Sequence, residues 1–191
     1  MDIKTTKVPG VLVLKPRRFA DVRGYFVETY NAQLFRQSGI RVHFVQDNQS
    51  FSLRKGTIRG LHFQLPPAVQ VKLIRVLRGS IFDVAVDLRL ESPTYGQWVT
   101  LQISAESGEQ IFVPRGFGHG FCTLEPNTEV AYKVDSYYAP ELESGVIWND
   151  STLNIPWPVG MNEAILSEKD RKLGTFKDLA SPFHYTRDVD V

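Results

Sequence analysis

Cysteine is nearly absent from this chain. Cys122 is the only one, so no intrachain disulfide can form and a reducing compartment suffices. Charge of one sign is missing too: 22 basic and 21 acidic side chains leave a formal net charge of +1, which excludes the bulk field that nucleic acid or an anionic membrane would need. No stretch approaches the roughly 18 uninterrupted apolar residues of a membrane span. The N-terminal MDIKTTKVPG lacks the apolar centre of a secretory signal, so a cytoplasmic location is expected, with neither membrane nor nucleic acid as a partner. Composition otherwise suits a globular chain, with 42% hydrophobic and 23% charged residues, and the length allows one domain over 1–191.

What is present is a series of short β-rich runs. VLVLKP (11–16), GYFVETY (24–30), VHFVQDNQSFS (42–52), VKLIRVLRG (71–79), SIFDVAVDLR (80–89), WVTLQIS (98–104), EQIFVPRG (109–116), GFCTLE (120–125) and EVAYKVDSYY (129–138) all fit strands. Gly and Pro separate them, at Gly56, Pro66–Pro67, Gly79, Pro93, Gly96, Gly108, Pro114, Gly116 and Pro140. Many short strands punctuated in this way predict a mainly β sandwich or barrel. Asn31 to Ser38, stopped by Gly39, predicts a short helix, and LSEKDRKLGTF past Pro156 a late helical turn.

The chain has only four histidines, and one stands inside a strand-like run, KGTIRGLHFQLPP (55–67). Strand alternation over 59–64 puts Leu61 and Phe63 on one face and Gly60, His62 and Gln64 on the other, where a pocket can form. Taken alone, His62 reads better as a structural histidine, hydrogen-bonded in a core or half exposed. The spacing from Gly56 to His62, and from Gly108 through Pro114 and Gly116 to His119, resembles the paired motifs of cupin barrels. Gln64 and Ala68 or Val69 stand where cupin metal ligands are found. That leaves two imidazoles, short of the three protein ligands typical of a catalytic zinc site, so no metal is predicted.

Seven stretches together make the resemblance specific: FADVRGYFVETY, FVQDNQSFS, GTIRGLHFQ, KLIRVLRGSIFDVAVDLRLESPTYGQW, PRGFGHGF, AYKVDSYYAPELESGVIWND and SEKD. From Phe19 to Asp170 the chain resembles the dTDP-4-dehydrorhamnose 3,5-epimerase family. The resemblance implies a cupin-type jelly-roll β-barrel with a few short helices, without metal or cofactor and usually a homodimer. Its activity would invert C3 and C5 of dTDP-4-dehydro-6-deoxy-D-glucose, for dTDP-rhamnose biosynthesis and lipopolysaccharide or O-antigen. A one-carbon epimerase, a ketoisomerase on a related sugar and a non-catalytic sugar-nucleotide binding module are the alternatives.

The implied chemistry needs a base, a proton donor on the opposite face and a cation near the carbonyl oxygen. By resemblance these are His62 with Asp170 as partner carboxylate, Tyr132, and Lys72. Plainer readings stand beside them: Ser167 with Asp170 spells a capping box, Tyr132 alternates with Val130 and Val134 as a buried strand aromatic, and Lys72 suits an exposed strand end. The resemblance also assigns substrate binding to Arg23, Phe26, Glu28, Gln46, Asp47, Asn48, Arg59, Lys72, His119, Glu143 and Lys169, with Tyr138 stacking on the base. Asp83 and Asp87 read as structural or solvated, since four strand residues separate them by about 13 Å. Cys122 reads as a small buried hydrophobe. In PPAVQVKL, Ala68, Val69 and Val71 are more apolar than the family pattern.

Overall fold

A computed structural model describes residues 1–186; residues 187–191 of the expected domain over 1–191 lie outside the described residues. The strands are β1 (Asp2–Thr5), β2 (Leu12–Lys15), β3 (Arg18–Asp21), β4 (Gly24–Val27), β5 (Gln46–Ser52), β6 (Ile58–Gln64) and β7 (Lys72–Arg78). They continue with β8 (Ser80–Asp87), β9 (Trp98–Ser104), β10 (Gln110–Val113), β11 (Phe117–Thr123), β12 (Thr128–Val134) and β13 (Glu143–Gly145). One antiparallel sheet runs β1-β2-β10-β7-β12-β5 and faces another ordered β13-β6-β11-β8-β9, while β3 and β4 pair with each other in a two-stranded sheet. This is the expected mainly β jelly roll. Among the described residues, hydrogen bonding does not close the two sheets into a continuous barrel.

Alternation explains the core between them. Ile74 and Val76 of β7, Ile111 and Val113 of β10 and Val130 of β12 meet Ile81, Ala85, Val99, Ile103, Phe117 and Phe121 from the other sheet. Burying each such side chain contributes roughly 1.5–3 kcal/mol. β8 is apolar on both faces for a physical reason. Its Val84 and Val86 point away from that core into a second cluster with Leu61, Phe63, Leu153, Ile155 and Phe183, which the C-terminal segment lays over the sheet.

Helix α1 (Ala32–Gln37) starts where expected. Asn31 caps it by accepting from the Gln33 and Leu34 amides, and Gly39, at φ +89°, ends it. Phe35 then packs with Leu12, Leu14, Leu73 and Phe112 on the outer face of the six-stranded sheet. Among the described residues, no helix is long and apolar enough to cross a membrane.

Several boundaries differ from expectation. The run 42–52 forms a strand only from Gln46, because Val42 and Phe44 pack against the α1 cluster instead of pairing. β10 stops before Pro114, which has no N–H to donate, and Gly116 at φ +82° turns the chain so that β11 starts at Phe117, before the expected 120. The late helical turn shrinks to one 3-10 turn, Asp170–Lys172, since Leu173 is already extended and Gly174 bridges to Val146. The apolar PPAVQVKL residues serve packing: Val69 lies against the β8 cluster and Val71 is buried near Leu73.

Candidate active site

A cavity of about 480 Å³ opens between the sheets, with Ser50 of edge strand β5 and Glu143 of edge strand β13 both in its lining. One wall comes from β6 and β11 with Arg59, His62 and His119; the opposite wall comes from β7 and β12 with Lys72, Ile74, Val130 and Tyr132. Leu166, Ser167, Lys169 and Asp170 reach it from the C-terminal segment.

The strand with the odd histidine departs from simple alternation. Across β11, His119 pairs with His62 but Phe121 pairs with Arg59, so β6 carries one extra residue. The bulge falls at Gly60, where φ is +126° and an added Cβ would lie 2.5 Å from Gly120 Cα and 2.7 Å from the His119 carbonyl oxygen. Alternation alone groups Arg59 with Leu61. The bulge instead brings Arg59 to the cavity face alongside His62. Gln64 turns to the loops, donating to the Ala68 and Tyr137 carbonyls and accepting from the Ala139 amide.

His62 Nε2 lies 2.5 Å from Asp170 Oδ1. Burial pushes the Asp170 carboxyl up, but the hydrogen bond and charge of His62, with the Ser167 hydroxyl, outweigh it and hold the group below the usual carboxylate range. The Ser167 hydroxyl accepts from the Asp170 amide at 3.0 Å, so half of the capping box forms while the Asp170 side chain serves His62. A second pair is more deeply buried: His119 Nε2 meets Asp83 Oδ2 at 2.8 Å. Sequence reasoning read Asp83 as structural or solvated; it is buried and faces a site residue, a contact that only cross-strand register reveals.

Lys72 is no exposed strand end. Its ammonium donates to the His62 carbonyl oxygen at 3.4 Å, and burial lowers its pKa to about 8 against the pull of Glu143 and Asp83. Burial, then the charge of Glu143, raises the Tyr132 phenol, with Arg59 opposing. At the rim, Tyr138 donates to Glu143 Oε2 at 2.5 Å and is pushed up to about 12 by that bond. Glu143 also pairs with Lys169. Arg59 is anchored through Ser52 Oγ at 3.2 Å and the Phe51 carbonyl at 3.0 Å.

The cavity thus assembles His62, Asp170, Tyr132, Lys72, Arg59, His119, Tyr138, Glu143 and Lys169. Asn48 joins a side pocket shared with His62, Lys72 and Tyr132. Other predicted residues stand apart. Gln46 sits behind, bonded to Asn48 and to the Tyr138 amide, and Asp47 faces the outside of the sheet in an ion pair with Lys133. Arg23 pairs with Asp21 on the β3–β4 hairpin, where Phe26 is 66% exposed; Glu28 follows it, bonded to Asn31 at 3.5 Å.

Among the described residues, no group of three His, Cys, Asp or Glu side chains is arranged to hold a metal ion. Cys122 is buried as expected, its thiol pushed up to about 11 by burial. Asp87 is structural and not solvated: it accepts from Arg89, Ser92 and Thr94. What the cavity offers is a carboxylate-held imidazole on one wall and a phenol and an ammonium on the other. Such a set can take a proton from one face of a ligand and return one to the other.

Comparison with known proteins agrees with this chemistry. The family model described as dTDP-4-dehydrorhamnose 3,5-epimerase matches residues 5–178. The enzyme of that name from Sinorhizobium fredii is 45% identical, over 98% of this chain and 95% of its own length. The Bacillus anthracis enzyme, crystallised with TDP and PPi, superposes with a TM-score of 0.87 at 50% identity, covering 91% of this chain and 99% of its own. The Legionella pneumophila enzyme, in complex with dTDP-4-keto-L-rhamnose, gives a TM-score of 0.92 at 40% identity, covering 97% and 98%. A family match over most of the chain, joined to relatives of nearly equal length, establishes that this chain belongs to the dTDP-4-dehydrorhamnose 3,5-epimerase family.

Proposed function

We propose that this protein epimerises C3 and C5 of dTDP-4-dehydro-6-deoxy-D-glucose, giving dTDP-4-dehydro-L-rhamnose. The observation that carries the reading is the placement of His62 and Tyr132 on facing walls of one cavity, with Lys72 on the Tyr132 wall reaching across to the His62 carbonyl oxygen. Hydrogens at C3 and C5 are both alpha to the C4 ketone, so each can leave as a proton if the enolate is stabilised. Asp170 holds Nε2 of His62, which leaves Nδ1 as the nitrogen that takes the proton. The Lys72 ammonium stabilises the oxygen where negative charge develops. Tyr132, on the far wall, returns a proton to the opposite face and so inverts the carbon. Water then reprotonates the phenolate and accepts the proton from His62, and no external cofactor is consumed.

Arg59 and Lys169 bind the diphosphate, Tyr138 stacks on the thymine, and His119, Asn48 and Glu143 complete the contacts. Tyr138 must release Glu143 or slide over it to do so. We further infer a cytoplasmic homodimer. Its support is the isolated β3–β4 hairpin, which exposes Phe19, Val22, Tyr25 and Phe26, more apolar surface than a two-stranded ribbon normally leaves in water. Packed on a second copy, the hairpin carries Arg23, Phe26 and Glu28 to the neighbouring cavity. Gln46 and Asp47 act indirectly, through Asn48 and Lys133.

Proton NMR of the protein with dTDP-4-dehydro-6-deoxyglucose in deuterated water tests the reaction. Enzyme-dependent deuterium at both C3 and C5 is the expected result. Exchange at one carbon only would make it a narrower epimerase, and binding without exchange a sugar-nucleotide binding module.

A further inference from the structure

The cavity-side face of β5 carries Gln46, Asn48, Ser50 and Ser52, an all-polar row opposite Val134, Tyr132, Val130 and Thr128 of β12. Val130 and Val134 are fully buried, so the neighbouring surface is apolar and the row is not needed for packing. Most of it is engaged within the protein. Gln46 donates to Asn48 Oδ1 at 2.7 Å and accepts from the Tyr138 amide, and Ser52 accepts from Arg59.

Ser50 differs. Its hydroxyl is enclosed although the residue lines the cavity, and among the described residues it is the one buried side-chain polar atom without a protein partner. A buried hydroxyl carries a desolvation penalty that only a hydrogen bond offsets, so an unspent one on a residue that lines a ligand cavity is free to turn about χ1 and meet a ligand.

Its position narrows the contact. On one side along β5 stands Ser52 with Arg59, whose guanidinium is held by neutral oxygens and keeps its charge for an anion. On the other stands Asn48, level with Tyr132. Ser50 therefore lies between the cation for the phosphate and the group that moves protons.

We propose that the Ser50 hydroxyl hydrogen-bonds the 2-hydroxyl of the hexose in the bound nucleotide sugar, an assignment that rests on the function proposed above. A 4-keto-6-deoxyhexose joined through C1 to phosphate has free hydroxyls only at C2 and C3. The one at C3 changes direction when that carbon inverts, so a fixed partner cannot serve it in both substrate and product. The 2-hydroxyl keeps its configuration throughout and lies on the phosphate side of C3. Ser50 holds the part of the ring that does not change while C3 and C5 turn over.

Calorimetric titration of wild type and Ser50→Ala with dTDP, dTDP-glucose and dTDP-2-deoxyglucose tests this. Ser50→Ala is expected to bind dTDP-glucose roughly tenfold more weakly, with affinity for dTDP and dTDP-2-deoxyglucose unchanged. Wild type should lose about the same factor when the 2-hydroxyl is removed. The ligand-free variant should melt no lower than wild type, since no protein bond is lost. Equal weakening for dTDP itself, or for both sugars, would move the contact elsewhere and overturn the assignment, as would a variant indistinguishable from wild type. If wild type binds none of the three, the proposed function fails first; binding with a flat comparison refutes Ser50 alone.

Discussion

His62 is chemically ordinary until Asp170 is set against it. Replacing His62 with Ala should lower deuterium exchange by about 10²–10⁴-fold with little change in folding, because the group removed is the one proposed to take the proton. A variant of near-native activity would sink that role. Lys72 gives a pH prediction. Burial brings its pKa from the usual 10.5 to about 8, so the folded protein sheds that proton well before the unfolded chain does. Between about pH 8 and 10.5 the folded state binds fewer protons than the unfolded one, and stability from this group rises with pH; below pH 8 both states carry the charge and the burial cost stands in full. Activity should move the other way. As the ammonium proposed to stabilise the enolate is lost, exchange should fall above about pH 8, and Lys72→Met should remove that limb of the profile at a much lower rate.

At the scale of elements, the β6 bulge decides which side chains meet. An Ala at Gly60 would need φ +126° and would press on β11 at Gly120. Gly60→Ala should destabilise the protein by about 1–3 kcal/mol in urea unfolding and depress exchange further by shifting Arg59 relative to His62. Gly174→Ala, with open space at its Cβ position, is the matched control and should be close to neutral. The strands β7, β8, β9 and β12 were legible in the sequence because most of their buried residues are apolar. The Arg59–His62 pairing was not, since a bulge shows in one sequence only as a glycine. β1, β3 and β13 escaped notice because DIKT, RFAD and ESG are both short and largely polar, without the apolar runs that mark the equally short β2 and β10.

For the whole molecule, the exposed aromatics of the β3–β4 hairpin make assembly the testable property. Sedimentation equilibrium should give twice the chain mass. Phe26→Asp, which puts a charge into that apolar surface, should weaken the dimer and reduce affinity for dTDP, with the cavity of each chain intact. A monomer with full affinity for dTDP would confine the site to one chain and leave Arg23, Phe26 and Glu28 without a role in binding.

The sequence by itself determined the β-rich architecture, the capped helix and, through motif resemblance, the set of residues around His62. Alternation and turn chemistry act over neighbours in the chain, so one sequence carries them. Only the tertiary structure decided how closely Asp170, the partner the resemblance implied, bonds His62, that Asp83 holds His119, that burial lowers Lys72 and that Ser50 is left without a partner. Each of these depends on register between strands or on segments up to 108 residues apart in sequence, and such contacts form only when the two sheets close over a common cavity.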